Sequence, residues 1–255
     1  MDDRELLALF DRTVRRHPQR ASTPLLAGRV QVEVHDSWAG VTWTSLDDAS
    51  ADAAIAEAIA RLSGLGRDWE WKLYSYDAPS DLGARLGRAG LVPGEAEALA
   101  IAPLDELELG PPPPPGLRIA PATDESGVRE MLAVQDTVFG GGEPAMLGEM
   151  LAALAATPPD AAALVGRLDG LAVAAARLSF HPGSEFASFW GTAVLPAHRG
   201  RGVFRALVRA CAQAARERGA RFLQADLNDQ STPILERCGF RMLAQTTPYT
   251  MRAKT

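Results

Sequence analysis

The residues best placed to do chemistry form one short run, His198-Arg199-Gly200-Arg201-Gly202. Two guanidinium groups beside a histidine can bind an anion, and two glycines let backbone N–H groups approach it closely. A phosphate-binding Walker loop would need a Lys-Ser/Thr pair after the last glycine, and none follows. A dinucleotide fingerprint would need three spaced glycines and a later acid on a strand. Standing alone, such a run reads as a solvated turn or a basic tail for nucleic acid. The formal net charge of −6, and the apolar segments on both sides of the run, argue against the tail.

Those segments must position the run. Phe186 to Leu195 is an apolar stretch that predicts a buried strand. From Val203 the apolar residues Leu207, Ala210, Cys211 and Ala214 share one helical face, while Arg205, Arg209, Gln213 and Arg216 occupy the other. Gly219 stands where a C-terminal cap belongs. The order is strand, Arg/Gly turn, helix, and a helix N-terminus adds positive potential to the turn.

This stretch resembles the pyrophosphate loop of the GCN5-related N-acetyltransferases (GNAT family). Their usual form is Arg/Gln-x-x-Gly-x-Gly/Ala after a strand ending Val-x-Pro. Here Val194-Leu195-Pro196 is followed by Arg199, Gly202 and Phe204. A strand expected at 222–227, then Asn228, a short helix and Cys238-Gly239-Phe240 continue the resemblance, which covers roughly residues 116–252. It implies an α/β fold with a mixed sheet, the GNAT-like acyl-CoA N-acyltransferase fold. It also implies an acetyl-CoA co-substrate, no metal, and a primary amine of a small molecule or peptide as acceptor, attacked in a ternary complex. Cofactor contacts would fall to Val194, Leu195, Arg199, Gly200, Arg201, Gly202, Val203, Phe204 and Asn228.

The chain departs from the family pattern in three places. Phe204 stands where glycine or alanine is usual. Leu235 replaces a tyrosine that protonates the departing thiolate in many members. Trp190 and Gly191 occupy the strand positions where many members keep a glutamate base. Tyr249 and Glu143 are the expected proton carriers in their place, with Glu149, His181 and Asp226 as further candidates; a water chain is the other route. The alternative to an enzyme is a non-catalytic acyl-CoA-binding or sensing protein, for which the missing tyrosine and glutamate are the argument.

The 255 residues suffice for two small domains, and a hydrophobic content of 47% suffices for a real core. The acidic balance disfavours a nucleic-acid partner, and no apolar run approaches a membrane span. Two cysteines, Cys211 and Cys238, make no disulfide framework, and the charged start Met1-Asp2-Asp3-Arg4-Glu5 does not read as a signal peptide. A cytoplasmic location is the expectation. Pro111 to Pro115 favours an extended, semi-rigid linker. Before it, a strand at 70–76, a short helix and Ala89-Gly90-Leu91 look like a decayed copy of the C-terminal ending, each followed by one more strand. Two tandem halves are therefore expected: a degenerate GNAT-like domain at 1–109, a linker at 110–116, and an acetyltransferase domain at 117–255 that carries the CoA site. The first half could be a scaffold, a homodimer surface or a wall of the substrate site.

Shorter patterns complete the reading. A helix is expected over 4–16, closed by Arg15, Arg16 and His17 and stopped by Pro18. His35-Asp36 lacks a third catalytic member, and Trp43, Trp69 and Trp71 are expected in the core rather than lining a pocket. Asp169-Gly170 predicts a tight hairpin. Gly140-Gly141-Gly142 breaks one helix before another begins at Pro144.

Overall fold

The computed structural model of the protein describes residues 1–16, 22–25, 28–142 and 144–253. In chain order its elements are α1 (Asp3–Phe10), β1 (Ser22–Leu25), β2 (Val30–Val34), β3 (Ala39–Thr44), α2 (Ala51–Leu62), β4 (Trp69–Tyr74), α3 (Leu82–Arg88), β5 (Val92–Pro93) and β6 (Glu97–Pro103). There follow β7 (Leu117–Ala122), α4 (Glu125–Phe139), α5 (Met146–Ala155), β8 (Ala161–Leu168), β9 (Leu171–Phe180) and β10 (Phe186–Val194). The chain closes with α6 (Val203–Glu217), β11 (Phe222–Leu227), α7 (Thr232–Glu236) and β12 (Arg241–Met251). They form two compact units built from discontinuous segments. Unit 1 comprises Met1–Ala100, Asp226–Thr232 and Met242–Thr255; unit 2 comprises Ile101–Ala225 and Pro233–Arg241.

In unit 1 the strand order is β1-β2-β3-β4-β12. Strands β1 to β3 are an antiparallel meander. Strand β4 runs parallel to β3, as a crossover through α2 requires. Gly40 sits where a Cβ would lie 2.3 Å from the Glu70 carbonyl oxygen, so only glycine lets β3 and β4 approach this closely. On the far side of β4, β12 pairs antiparallel from Thr246↔Tyr74 to Met251↔Trp69. The core packs Val30, Val32 and Val41 of the sheet against Ile55, Ala58 and Leu62 of α2 and Leu82 and Leu86 of α3. Trp43, Trp69 and Trp71 are all buried, as expected for core residues. The first helix differs from expectation: α1 ends at Phe10 and the chain continues as a π-helical turn, Asp11–Arg15. Its closing residue Arg15 turns inward, with every face of its guanidinium paired. Nε donates to Thr42 O, Nη1 to Asp11 and Tyr76 Oη, and Nη2 to Asp77. His17 and Pro18 lie outside the described residues.

In unit 2 the order is β6-β11-β10-β9-β8-β7, to which β6 contributes Ile101–Pro103. Strands β7 to β10 are antiparallel, and α6 crosses over to the parallel β11. The β8–β9 hairpin closes on Asp169 (φ 51°) and Gly170 (φ 83°), two left-handed residues that match the twist of the strands. Helices α4 and α5 cover one sheet face, burying Val128, Met131, Val134 and Met150 on Ala163, Val165, Ala175 and Ala193. Helix α6 packs on β8, β9 and β10 with Leu207, Cys211 and Ala215 buried. With both faces covered, β9 is buried without a break from Val173 to Ala176. Asp124 caps α4 by accepting from Gly127 N at 2.8 Å. The proline run is not a free spacer: Arg209 Nη2 donates to the carbonyls of Leu109, Gly110 and Pro111 and fastens it to α6.

Candidate functional site

The Arg/Gly run is held between two fixed ends. Leu195 N donates to Val173 O, which extends the β9 ladder past the end of β10. A 3₁₀ turn over Pro196–His198 then lifts the chain off the sheet. Arg199 Nε returns to Val194 O at 3.0 Å and closes the turn, while the rest of its guanidinium is exposed. Gly200 and Gly202 both adopt the left-handed region, at φ 72° and 82°. Gly202 is the N-cap residue of α6 and has no side chain to satisfy the first-turn N–H groups. A Cβ at Gly200 would meet nothing within 4 Å, and one at Gly202 only Pro114, at 3.9 Å. Backbone donors on an open helix N-terminus, beside exposed Arg199 and Arg201, suit a pyrophosphate. Val203 points into the core and Phe204 is half-buried, so the bulky residue at that position is accommodated by packing. His198 Nδ1 is buried with no hydrogen-bond partner among the described residues.

The strand before the loop is irregular in a way the sequence does not reveal. Strand β10 pairs with β11 only from Phe186↔Phe222 to Ser188↔Gln224, although β10 continues to Val194. Its register with β9 shifts between Trp190 and Ala193. Gly191, at φ 56°, lies in that bulge, and Gln135 of α4 donates to its carbonyl at 2.7 Å. A Cβ at Gly191 would stand 2.4 Å from Gln135 Nε2, so the buried glutamine and the glycine fit only together. Beyond Ser188 the side of β10 that faced β11 leaves the ladder, opening backbone groups next to the loop.

The proton-carrying candidates fall in different places. Tyr249 belongs to unit 1, opposite Trp71 and Pro93, with its ring against that core and its hydroxyl 2.6 Å from where a Cβ at Gly83 would sit. Glu143 lies outside the described residues. Glu149 is half-buried on α5. Asp226 forms a buried ion pair with Lys72 in unit 1, whose ammonium this partner holds above its usual range despite burial. His35 pairs with Glu33 at 3.0 Å rather than with Asp36. His181 Nε2 lies 2.7 Å from Ser188 Oγ, and that hydroxyl donates onward to Gln224 Oε1. The serine proton is therefore committed to the glutamine, so the neutral histidine carries its proton on Nε2. Asn228 closes the turn before α7: its Oδ1 accepts from Gln230 N and Ser231 N. Leu235 is fully buried. Among the described residues no group of three or more His, Cys, Asp or Glu side chains could hold a metal ion. No described helix is long and apolar enough to cross a membrane.

The sequence pattern assigns no role to Arg177 and takes Gln135 only as one of the residues marking the face of α4. Arg177 interrupts the apolar run of β9, and Gln135 lies on the apolar face of α4. A charge or amide at a core-facing position was the available signal.

A parallel β–turn–α–β unit with splayed central strands and a glycine-capped anion loop defines a class of acyl-transfer fold. Residues 130–240 match the model of the acetyltransferase (GNAT) family. Solved structures extend the likeness over both units. A GCN5-related N-acetyltransferase from Kribbella flavida is 18% identical, with a TM-score of 0.67 over 97% of this chain and 93% of that one. A conserved protein of unknown function from Staphylococcus epidermidis is 12% identical, with a TM-score of 0.66 over 96% and 98%. A tandem GNAT protein from the clavulanic acid biosynthesis pathway is 16% identical, with a TM-score of 0.58 over 89% and 79%. At these identities the likeness is one of fold. No curated protein matches the sequence.

Proposed function

We propose that the protein is an acetyl-CoA-dependent N-acetyltransferase for a primary amine of a small molecule or peptide. The observation that carries the reading is the junction of β10 and α6, where a strand that leaves the β11 ladder beyond Ser188 leads through the Arg/Gly loop to a helix N-terminus with no side-chain cap. The N–H groups from Arg199 to Phe204 would hold the pyrophosphate, with Gly200 and Gly202 allowing close approach and Arg199 and Arg201 supplying charge. The backbone of Val194 and Leu195 would align the pantetheine arm. Asn228 joins this set through the family resemblance, although its side chain is engaged in the turn before α7.

The acceptor amine, bound neutral, attacks the thioester carbon. The new C–N bond forms, the C–S bond breaks, the ammonium proton leaves, and the thiolate is protonated. Tyr249 and Glu143 are the side chains proposed for the proton steps. Tyr249→Phe and Glu143→Gln would each lower kcat by about 100-fold or more if the group carries a proton, while CoA binding is retained. An unchanged kcat in both variants would assign the transfers to water.

A second reading is a non-catalytic acyl-CoA-binding or sensing protein. It is favoured by the fully buried Leu235 and by the Gly191 bulge, which leave the family's usual acid and base positions without a titratable side chain. One experiment separates the two: the melting temperature with CoA, followed by thiol release from acetyl-CoA across an amine panel. Stabilisation with turnover supports the enzyme. Stabilisation without turnover supports the sensor. No stabilisation overturns both.

A further inference from the structure

Arg177 lies on the face of β9 that packs against α4 and α5, since Ala175, two residues before it, belongs to that core. Its direct cross-strand neighbours are Trp190 on β10 and Ala163 on β8. The rest of the strand from Leu171 to Leu178 is apolar. A guanidinium in such a place must be paired or it costs stability. This one is poorly paired. Nε is enclosed with no hydrogen-bond partner among the described residues. Among the described residues Nη1 donates to Met146 Sδ, at 2.8 Å, and a thioether is a weak acceptor. Glu149, one turn along α5, attracts it through space. Arg15 in unit 1 is the contrast: a buried arginine whose donors meet two carboxylates, a carbonyl and a hydroxyl. Arg15 is built as a structural group. Arg177 is built as half of a pair.

The location says what the other half would do. Trp190 begins the bulged segment of β10 that leads through Gly191 and Ala193 to Val194. In the acetyltransferase reading the thioester lies along that segment. A group held by Arg177 is therefore one strand away from the acyl carbon, on the side covered by α4 and α5. We propose that Arg177 binds a carboxylate carried by the acceptor, so that the substrate is an amino carboxylic acid or a short peptide with a free C-terminus. This rests on the acetyltransferase reading for the direction of the amine. The planar guanidinium fork matches a carboxylate in two parallel bonds, which also fixes the orientation of the molecule that carries it.

The test uses matched acceptors: amino acids, their amides, and the amines that lack the carboxyl group. Thiol release is measured with the full-length protein, its Arg177→Met variant and its Arg177→Lys variant. The expected result is a preference of roughly 30- to 100-fold in kcat/KM for the acid over its amide, the range for losing a charge-assisted bond in a closed site. In Arg177→Met that preference disappears through a raised KM for the acid. Arg177→Lys keeps part of it. The rise in melting temperature with CoA, equal in all three proteins, shows that the variants fold. A binding arm is independent of turnover. The same acids, with CoA present, stabilise the wild-type protein more than their amides do, and do not stabilise Arg177→Met. Acid and amide of equal effect in both arms overturn the Arg177 proposal, even if acetylation proceeds. Selective stabilisation by acids without any acetylation overturns the enzyme reading instead and leaves Arg177 as a carboxylate-binding residue.

Discussion

His181 is enclosed where β9 ends, hydrogen-bonded to Ser188, and burial lowers its pKa to about 4. In the unfolded chain a histidine titrates near 6.5. The unfolded state therefore takes up the proton first on acidification. The stability contributed by keeping this ring neutral is complete above about pH 6.5 and is lost as the pH falls towards 4. The shift corresponds to about 3 kcal/mol. Thermal melts between pH 7 and 4 should show this loss, and His181→Gln should flatten it; a variant with the same slope would remove His181 as the cause. Arg199 makes a second prediction at this scale. Among the described residues its guanidinium makes one hydrogen bond, which closes the loop onto Val194, and the rest is exposed and open to a phosphate. Arg199→Ala should weaken CoA binding about tenfold or more, the range for one charge-assisted bond, read by calorimetry. An unchanged affinity would move the pyrophosphate elsewhere.

At the scale of elements, the anion loop depends on α6 beginning at a left-handed residue. Gly202→Ala meets only Pro114, at ordinary van der Waals distance, so its effect is conformational rather than steric. Holding alanine at φ 82° should cost about 1–2 kcal/mol, visible as a lower melting temperature. It should also shrink the stabilisation given by CoA, because the first-turn N–H groups shift with the cap. A variant that melts earlier but keeps the full response to CoA would separate the cap from the binding site. The strand, loop and helix around Gly202 were legible in the sequence because they are local: an apolar run, two glycines, and a period near 3.6. The Asp169-Gly170 turn was legible for the same reason. The divergence of β10 from β11 was not, because apolar residues predict a strand without saying how far its ladder extends. Gly191 gave no warning of a bulge, since its need for Gln135 lies more than fifty positions away in the chain. Arg177 was hidden by the pattern around it, one charge inside a run read as a hairpin strand.

At the scale of the molecule, chain order and structural unit part company. The sequence reads as two halves joined by a proline run, 1–109 and 117–255. Yet β12, the last strand of the second half, belongs to unit 1, where it pairs with β4 over six residues and carries Tyr249 and Met251 onto the core. The apolar pattern of residues 242–251 announces a strand but is silent about its partner, because pairing at this separation is set by tertiary packing. The consequence is testable by cutting the chain. A fragment of residues 1–109 retains α2, α3 and β1 to β4, but one edge of β4 is left unpaired beside the fully buried Trp71. An exposed apolar edge of this kind associates rather than folds. The fragment alone should show no cooperative melt and should aggregate. The same fragment carrying residues 241–253 through a flexible linker should melt cooperatively, with near-ultraviolet ellipticity from the packed tryptophans restored. If residues 1–109 fold cooperatively unaided, the first half is a domain in its own right and β12 is an ornament on it. If only the extended fragment folds, the repeat seen in the sequence is not a folding unit, and the end of the chain must be made before unit 1 can close.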